Sequence, residues 1–310
     1  MDVYCIGEMV IDFLPGSEEA SYIRKAGGAP ANVAIAVTKN GLNASMCCKV
    51  GEDEFGRFLM STLEKYEVKA ACPRLCGEAI TTMAFVTLAE NGERKFTFAR
   101  KPGADMFLSE EDVKEEEIED SVIIHAGSCS LSAMPEAAAT VRAMRLAHEK
   151  GKIVSFDVNY RSLMWQDDVD ACTRAVKDML NYVDLLKISE EEVEMLGGGR
   201  ALRDLMKTYG ISLLVETLGS EGARAFFGDD EIRIPGRKVK AVDATGAGDA
   251  FWGAFLSSLR LQGVEKVSQL TAEKISEAME YGNVSGCICV QKKGAIDSIP
   301  TREQIQEYRR

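Results

Sequence analysis

The chain has 310 residues, enough to bury a large core as one domain or two, and its 46% hydrophobic and 28% charged residues are in the proportions of a soluble globular protein. A net charge of −12 leaves no basic surplus for a nucleic-acid backbone or an anionic membrane surface, so neither partner is expected. No apolar run approaches the ~20 residues of a spanning helix, and the N-terminus lacks a basic-then-apolar leader pattern; a cytoplasmic protein is expected.

In chain order, Val3 to Gly7 reads as a buried strand. Pro30 to Asn40 reads as a helix with proline near its first position and Gly41 as its stop. Ser45 to Val50 is a predicted strand and Phe55 to Tyr66 a helix. The acidic run Glu110 to Asp120 reads as a solvated helix face and turn. Alternation then continues through Val122 to Ala126, Pro135 to Glu149, Ile153 to Asp157, Val169 to Asn181, Leu185 to Ile188, Glu190 to Leu196 and Ile211 to Thr217. Strands alternating with helices imply a parallel sheet with helices on both faces, and such sheets bind ligands at the carboxyl ends of their strands. A further helix is predicted over Ala250 to Leu261.

Two segments break that rhythm. Val10 to Pro15 and Ser21 to Ala26 read as short strands around a turn, and Thr81 to Leu88 and Lys95 to Arg100 as strands joined through Asn91-Gly92, a strong hairpin signal. All four are expected to form a small separate sheet. Nine cysteines show no paired C-x-x-C spacing, and only two histidines exist, so buried reduced thiols are expected rather than a zinc site; Cys287 and Cys289 alternate as if along a strand.

The most specific stretch is Asp243-Ala-Thr-Gly-Ala-Gly-Asp249. Gly246 and Gly248 let bare backbone turn tightly ahead of a helix, whose unpaired N–H groups and positive dipole end bind anions. Asp249 would repel such an anion, which makes sense if it takes a proton from a hydroxyl attacking phosphorus. Alone, the same residues also read as a glycine-rich turn with an acid in the first helical turn. No G-x-x-x-x-G-K-[ST] P-loop occurs, and no G-x-G-x-x-G follows the first strand, which argues against P-loop kinases and dinucleotide-dependent oxidoreductases.

The full run resembles the C-terminal signature of the ribokinase-like (PfkB) carbohydrate kinases. Gly27-Gly28-Ala29-Pro30-Ala31-Asn32 resembles that family's N-terminal motif, followed by Gly51-Glu52-Asp53-Glu54-Phe55-Gly56-Arg57, and the resemblance spans Ile6 to Thr301. It implies an α/β fold with a ribokinase-like central, mostly parallel sheet flanked by helices on both faces, in which residues 1–10, 27–76 and 104–310 bind nucleotide and substrate. Residues 11–26 and 77–103 would form a β-sheet lid, through which several members dimerise.

The resemblance further implies an ATP-dependent sugar kinase using Mg²⁺, with K⁺ as a softer expectation. Asp249 would be the base, and the turn through Gly246, Ala247 and Gly248 would stabilise the transferring phosphoryl group with the Ala247, Gly248 and Asp249 amides. Asp12, Gly27, Gly28 and Asn32 would hold sugar hydroxyls, with Arg100 and Arg161 contacting sugar oxygens or the transferring charge. Lys187, Glu192, Thr217, Gly219, Gly222 and Asn283 would line the nucleotide, with Asn283 and the turn Lys293-Gly294-Ala295 forming the adenine and cation wall. Glu192 would act on Mg²⁺ through water, and Asp243 and Thr245 would hold K⁺. Ser189 replaces the family's usual asparagine, as in fructokinase-like members. The opening Gly7-Glu8-Met9-Val10-Ile11-Asp12 and Pro102-Gly103-Ala104-Asp105-Met106 lean the same way, so fructose is the expected acceptor; 2-keto-3-deoxygluconate, ribose and a nucleoside such as aminoimidazole riboside remain alternatives within the family. A sugar-binding regulatory protein on the same scaffold is the alternative of another class; it would have no need of Asp249.

Overall fold

A computed structural model of the chain describes residues 1–18, 20–88, 94–199 and 201–309. In chain order, the strands and α-helices are β1 (Val3–Ile6), β2 (Val10–Pro15), β3 (Tyr22–Gly27), α1 (Ala29–Lys39), β4 (Ala44–Cys47), α2 (Glu54–Lys65), β5 (Lys69–Ala70), β6 (Met83–Leu88), β7 (Arg94–Ala99), α3 (Glu115–Glu119) and β8 (Ile123–Gly127). There follow α4 (Glu136–Glu149), β9 (Ile153–Asp157), α5 (Val169–Met179), β10 (Leu185–Ser189), α6 (Leu202–Tyr209), β11 (Leu213–Thr217), β12 (Gly222–Phe227), β13 (Asp230–Pro235), α7 (Ala247–Leu261), α8 (Ala272–Cys289) and α9 (Arg302–Arg309).

The main sheet runs β13-β12-β11-β10-β9-β8-β1-β4-β5. From β5 to β11 every pairing is parallel, while β12 and β13 append antiparallel at one edge. The period-2 pleat divides the strands between two cores. Val3 and Cys5 of β1 join α7 residues Phe251, Trp252 and Phe255 on one face, while Tyr4 and Ile6 join Ala139, Ala143 and Met144 of α4 on the other. Burial on both faces explains why these strands read as continuous apolar runs. The chain leaves β1 toward β4 on one side, and β8 lies on the other, so strand order reverses beside β1 and a crevice opens at the carboxyl ends.

The second sheet has the order β3-β2-β6-β7. β2 pairs antiparallel with β3 and parallel with β6, and β6 antiparallel with β7. Phe13 stacks on Phe85 at 4.8 Å and meets Phe55 of α2 edge-on at 5.7 Å, which seats this sheet on the main body. The Asn91-Gly92 turn lies outside the described residues.

Several expectations change. Cys287 and Cys289 lie in α8, not on a strand; the i, i+2 spacing is compatible with burial because much of that helix is enclosed. Glu190 to Leu196 forms two 3₁₀ turns, Glu190–Glu192 and Glu194–Leu196, rather than one helix, ended by Gly197 at a φ of 108°. All nine cysteines are free and buried. Among the described residues no helix is long and apolar enough to cross a membrane.

Candidate active site

The first turn of α7 forms the floor of the crevice. Its N-cap, Gly246, has a φ of 75°, and a Cβ there would stand 2.6 Å from the Ala295 Cβ, so backbone and side-chain space both require glycine. The Ala247 amide turns onto the Ala244 carbonyl at 3.2 Å. Of the expected anion-binding amides, Ala247 is thus already bonded, which leaves those of Gly248 and Asp249. A Cβ on Gly248 would lie 3.4 Å from the Lys187 Nζ, which places an ammonium directly over this turn.

Asp249 is 6% exposed and accepts a 2.7 Å hydrogen bond from the Asn32 amide of α1. Burial pushes its carboxyl above the ordinary range; the Asn32 bond opposes this, Asp157 reinforces it, and Arg161 and Lys187 pull it back. The result is a basic carboxylate held in one orientation, the property a proton acceptor needs.

Above it lies the sugar-side cradle. Asp12 on β2 sits opposite Lys25 in register, and a Cβ on Gly27 would come within 2.2 Å of its Oδ2. The glycine thus makes room for the carboxylate, a purpose the sequence does not announce. Burial raises Asp12 to about 6, Arg161 lowers it, and Asp249 and Asp243 raise it further. Gly28, at a φ of 111°, would meet the Glu8 carbonyl at 2.5 Å if it carried a Cβ. Arg161 follows β9 and stays accessible to solvent, yet it is ringed by charge. Burial of its surroundings opposes ionisation, but Cys129, Asp249, Asp157 and Glu192 raise its pKa overall.

Arg100 lies elsewhere in role. Its Nε donates to Asp105 at 2.6 Å, Nη1 to Ser132 at 3.0 Å and Nη2 to Glu136 at 2.9 Å. Asp105 also binds the Thr82 hydroxyl. Thr82 enters the small sheet and Arg100 leaves it, so these groups pin both stems of the lid rather than reaching for ligand.

On the nucleotide side, Lys187 at the end of β10 is 5% exposed and pairs with Asp157 at 2.8 Å. Burial works against its charge, but Asp157 and Glu192 raise its pKa overall. Glu192 accepts the Tyr160 amide at 2.7 Å and the Ser189 amide at 2.8 Å, which ties the ends of β9 and β10 together. Asp157 was not singled out by sequence, although its place at a strand's carboxyl end was the available signal. Its Oδ1 is buried without a hydrogen-bond partner, and its charge is close enough to Glu192 to raise the pKa of that carboxyl.

Asp243 accepts the Thr245 amide at 2.8 Å and the Gly294 amide at 3.0 Å, joining the α7 turn to the 293–295 turn. Thr217 ends β11, with Oγ1 3.4 Å from the Ile188 carbonyl. Gly219 turns at a φ of 53° beside Glu190. Gly222 differs from expectation: its missing Cβ would strike the Ile234 carbonyl at 2.1 Å, so its close approach is to β13. Asn283 donates to the Ile234 carbonyl at 3.3 Å and thereby ties α8 to β13.

A doubly wound sheet, a lid over its carboxyl edge, and a basic carboxylate at a helix N-terminus beside a buried lysine define a phosphoryl-transfer enzyme of the lidded sugar-kinase type. The chain matches the model of the pfkB family of carbohydrate kinases over residues 1–302. It belongs to that family, whose members are phosphotransferases with an alcohol acceptor. Fructokinase-1 of Oryza sativa subsp. japonica is 39% identical over 314 residues, covering 98% of this chain and 96% of that protein. The crystal structure of a fructokinase with bound ATP from Xylella fastidiosa superposes with a TM-score of 0.91 at 28% identity, covering 99% of this chain and 97% of that one. A fructokinase double mutant from Vibrio cholerae O395, bound to fructose, ADP and a potassium ion, gives 0.89 at 31%, with the same coverages.

Proposed function

We propose that this protein is an ATP-dependent fructokinase that transfers the γ-phosphoryl group to the 6-hydroxyl of fructose. The observation that carries the reading is the buried, basic Asp249 carboxylate, fixed by Asn32 beside the amides of α7 and the Lys187 ammonium. Asp12, the Gly27-Gly28 backbone and Arg161 bind the sugar and aim its primary hydroxyl at Asp249. Asp249 takes the hydroxyl proton as oxygen attacks phosphorus in line. The Gly248 and Asp249 amides and Lys187 stabilise the charge that develops on the transferring group.

Asp157 and Glu192 would hold Mg²⁺ through water. The ion, when bound, neutralises phosphate charge. Asp243 and Thr245 are the proposed K⁺ side, and they link the α7 turn to Gly294 whether or not the cation binds. Thr217 and Gly219 flank the nucleotide phosphates. Tyr22 and Ile23, exposed on the lid's edge strand, support a homodimer formed through the lid.

The engagement of Arg100 supports a neutral sugar over the acidic-sugar alternative. Its guanidinium is spent on Asp105 and Glu136, which leaves Arg161, whose charge lowers the pKa of both Asp12 and Asp249, as the remaining expected sugar-side arginine. The test is ADP release with Mg-ATP over fructose, ribose, 2-keto-3-deoxygluconate, aminoimidazole riboside and adenosine, with and without potassium. A clear preference for fructose is expected. Preferred turnover of another acceptor would overturn the substrate, and silence on all five would overturn the kinase reading.

A further inference from the structure

Between β3, α2 and the 295–297 segment lies a pocket of about 310 Å³. Its lining includes Arg24, Lys25 and Lys65 against one carboxylate, Asp297. That balance is unusual in a chain of net charge −12. Lys25 pairs with Asp297 at 2.6 Å. Among the described residues, neither Arg24 nor Lys65 has a carboxylate within ion-pairing distance. Arg24 instead lies 4.0 Å from the centroid of Phe58, and Lys65 lies 4.9 Å from that of Tyr66. Just below, Lys39 donates to the Ile296 and Ile299 carbonyls, each at 2.8 Å. Burial pushes Lys39 down to about 8; Asp297 opposes this, and the like charges of Lys292 and Lys65 reinforce it. The pocket therefore holds more positive charge than its own carboxylate neutralises.

We propose that this pocket is a second anion-binding site, taking the dianionic phosphate group of a small phosphate ester or free phosphate. A guanidinium with two ammonium groups suits phosphate oxygens. The volume admits a sugar phosphate. A nucleotide is disfavoured because the aromatic faces are already covered by cations: Phe58 by Arg24, and Tyr66 by Lys39 and Lys65. The pocket reaches the catalytic centre through two short paths. Ala295, in its lining, is the residue against which Gly246 packs. Lys25, on its other side, is the register partner of Asp12. An anion competing with Asp297 for Lys25 loosens the tie between these two segments, so occupancy is read at both the phosphoryl turn and the sugar cradle.

The test is calorimetric titration of the full chain with fructose 6-phosphate and, separately, with inorganic phosphate. Three forms are compared: the wild type, Arg24→Gln/Lys65→Gln, and a charge control outside the pocket, Arg57→Gln/Lys69→Gln. All three should turn over sugar within about twofold of one another, which establishes folding independently of the pocket. Binding that survives in the pocket variant belongs to the active site. The wild type and the control should show a further equivalent whose affinity is at least tenfold weaker in the pocket variant. Tighter binding of the sugar phosphate would name an ester as the ligand, and equal binding free phosphate; both keep the site. Equal titrations in all three forms, or equal weakening in both variants, would overturn it.

Discussion

At the scale of single residues, the sugar side of the site depends on the side chain that Gly27 lacks. Gly27 is glycine because the Asp12 Oδ2 occupies the space of its Cβ. A methyl group there would displace the carboxylate without touching the nucleotide side. Gly27→Ala should therefore reproduce Asp12→Ala: the sugar KM rises roughly 10- to 100-fold, in line with ~1.5–3 kcal/mol for lost charged hydrogen bonds, while the ATP KM stays within twofold. Steady-state kinetics in both substrates checks this, and a parallel rise in both KM values would mean misfolding. Asp12 adds a pH signature. With its pKa raised to about 6, it is ionised and accepting above that value, so sugar affinity should fall as pH drops through 6. Asp12→Asn should flatten that portion of the profile.

At the scale of elements, the lid is held at its stems. Arg100 is enclosed with Asp105 and Glu136, and Asp105 reaches back to Thr82, so the strands entering and leaving the small sheet share one buried ionic knot. Removing the cation strands buried carboxylate charge. Arg100→Met is expected to cost about 3–5 kcal/mol of stability, read as a fall in Tm, with loss of sugar affinity following the loosened stems. An unchanged Tm would show that the knot is not structural. This arrangement also marks where sequence stops informing. Periodicity located β1, α1, β9 and α7 within a residue or a few, because a buried parallel strand and an enclosed helix each impose their own pattern. The Gly-Ala-Gly-Asp run located the turn that opens α7 because its glycine signal is local. The partners of Arg100 are 5 and 36 residues away, and no local signal links an arginine to such carboxylates. Asp157 was missed for a similar reason: its ion-pair partner is a lysine 30 residues further on. The α8 cysteines misled because an i, i+2 pair fits a strand face as well as an enclosed helix.

At the scale of the whole molecule, parallel pairing brings the carboxyl ends of β1, β8, β9, β10 and β11 to one edge, strand order reverses beside β1, and α7 points its N-terminus into the crevice. The main body supplies the basic carboxylate and the anion-stabilising groups, and the lid strand supplies Asp12. Because the Asp249 pKa lies above the ordinary carboxylate range, its ionised, proton-accepting form is lost at a higher pH than that of an ordinary aspartate, so kcat should decline on the acid side. The central claim is that Asp249 is the proton acceptor, and Asp249→Asn tests it most directly, with kcat and the ATP Kd measured on the same preparation. The expected result is a fall in kcat of roughly 10²- to 10⁴-fold with the ATP Kd within twofold of the wild type. A kcat near the wild-type value would contradict the account.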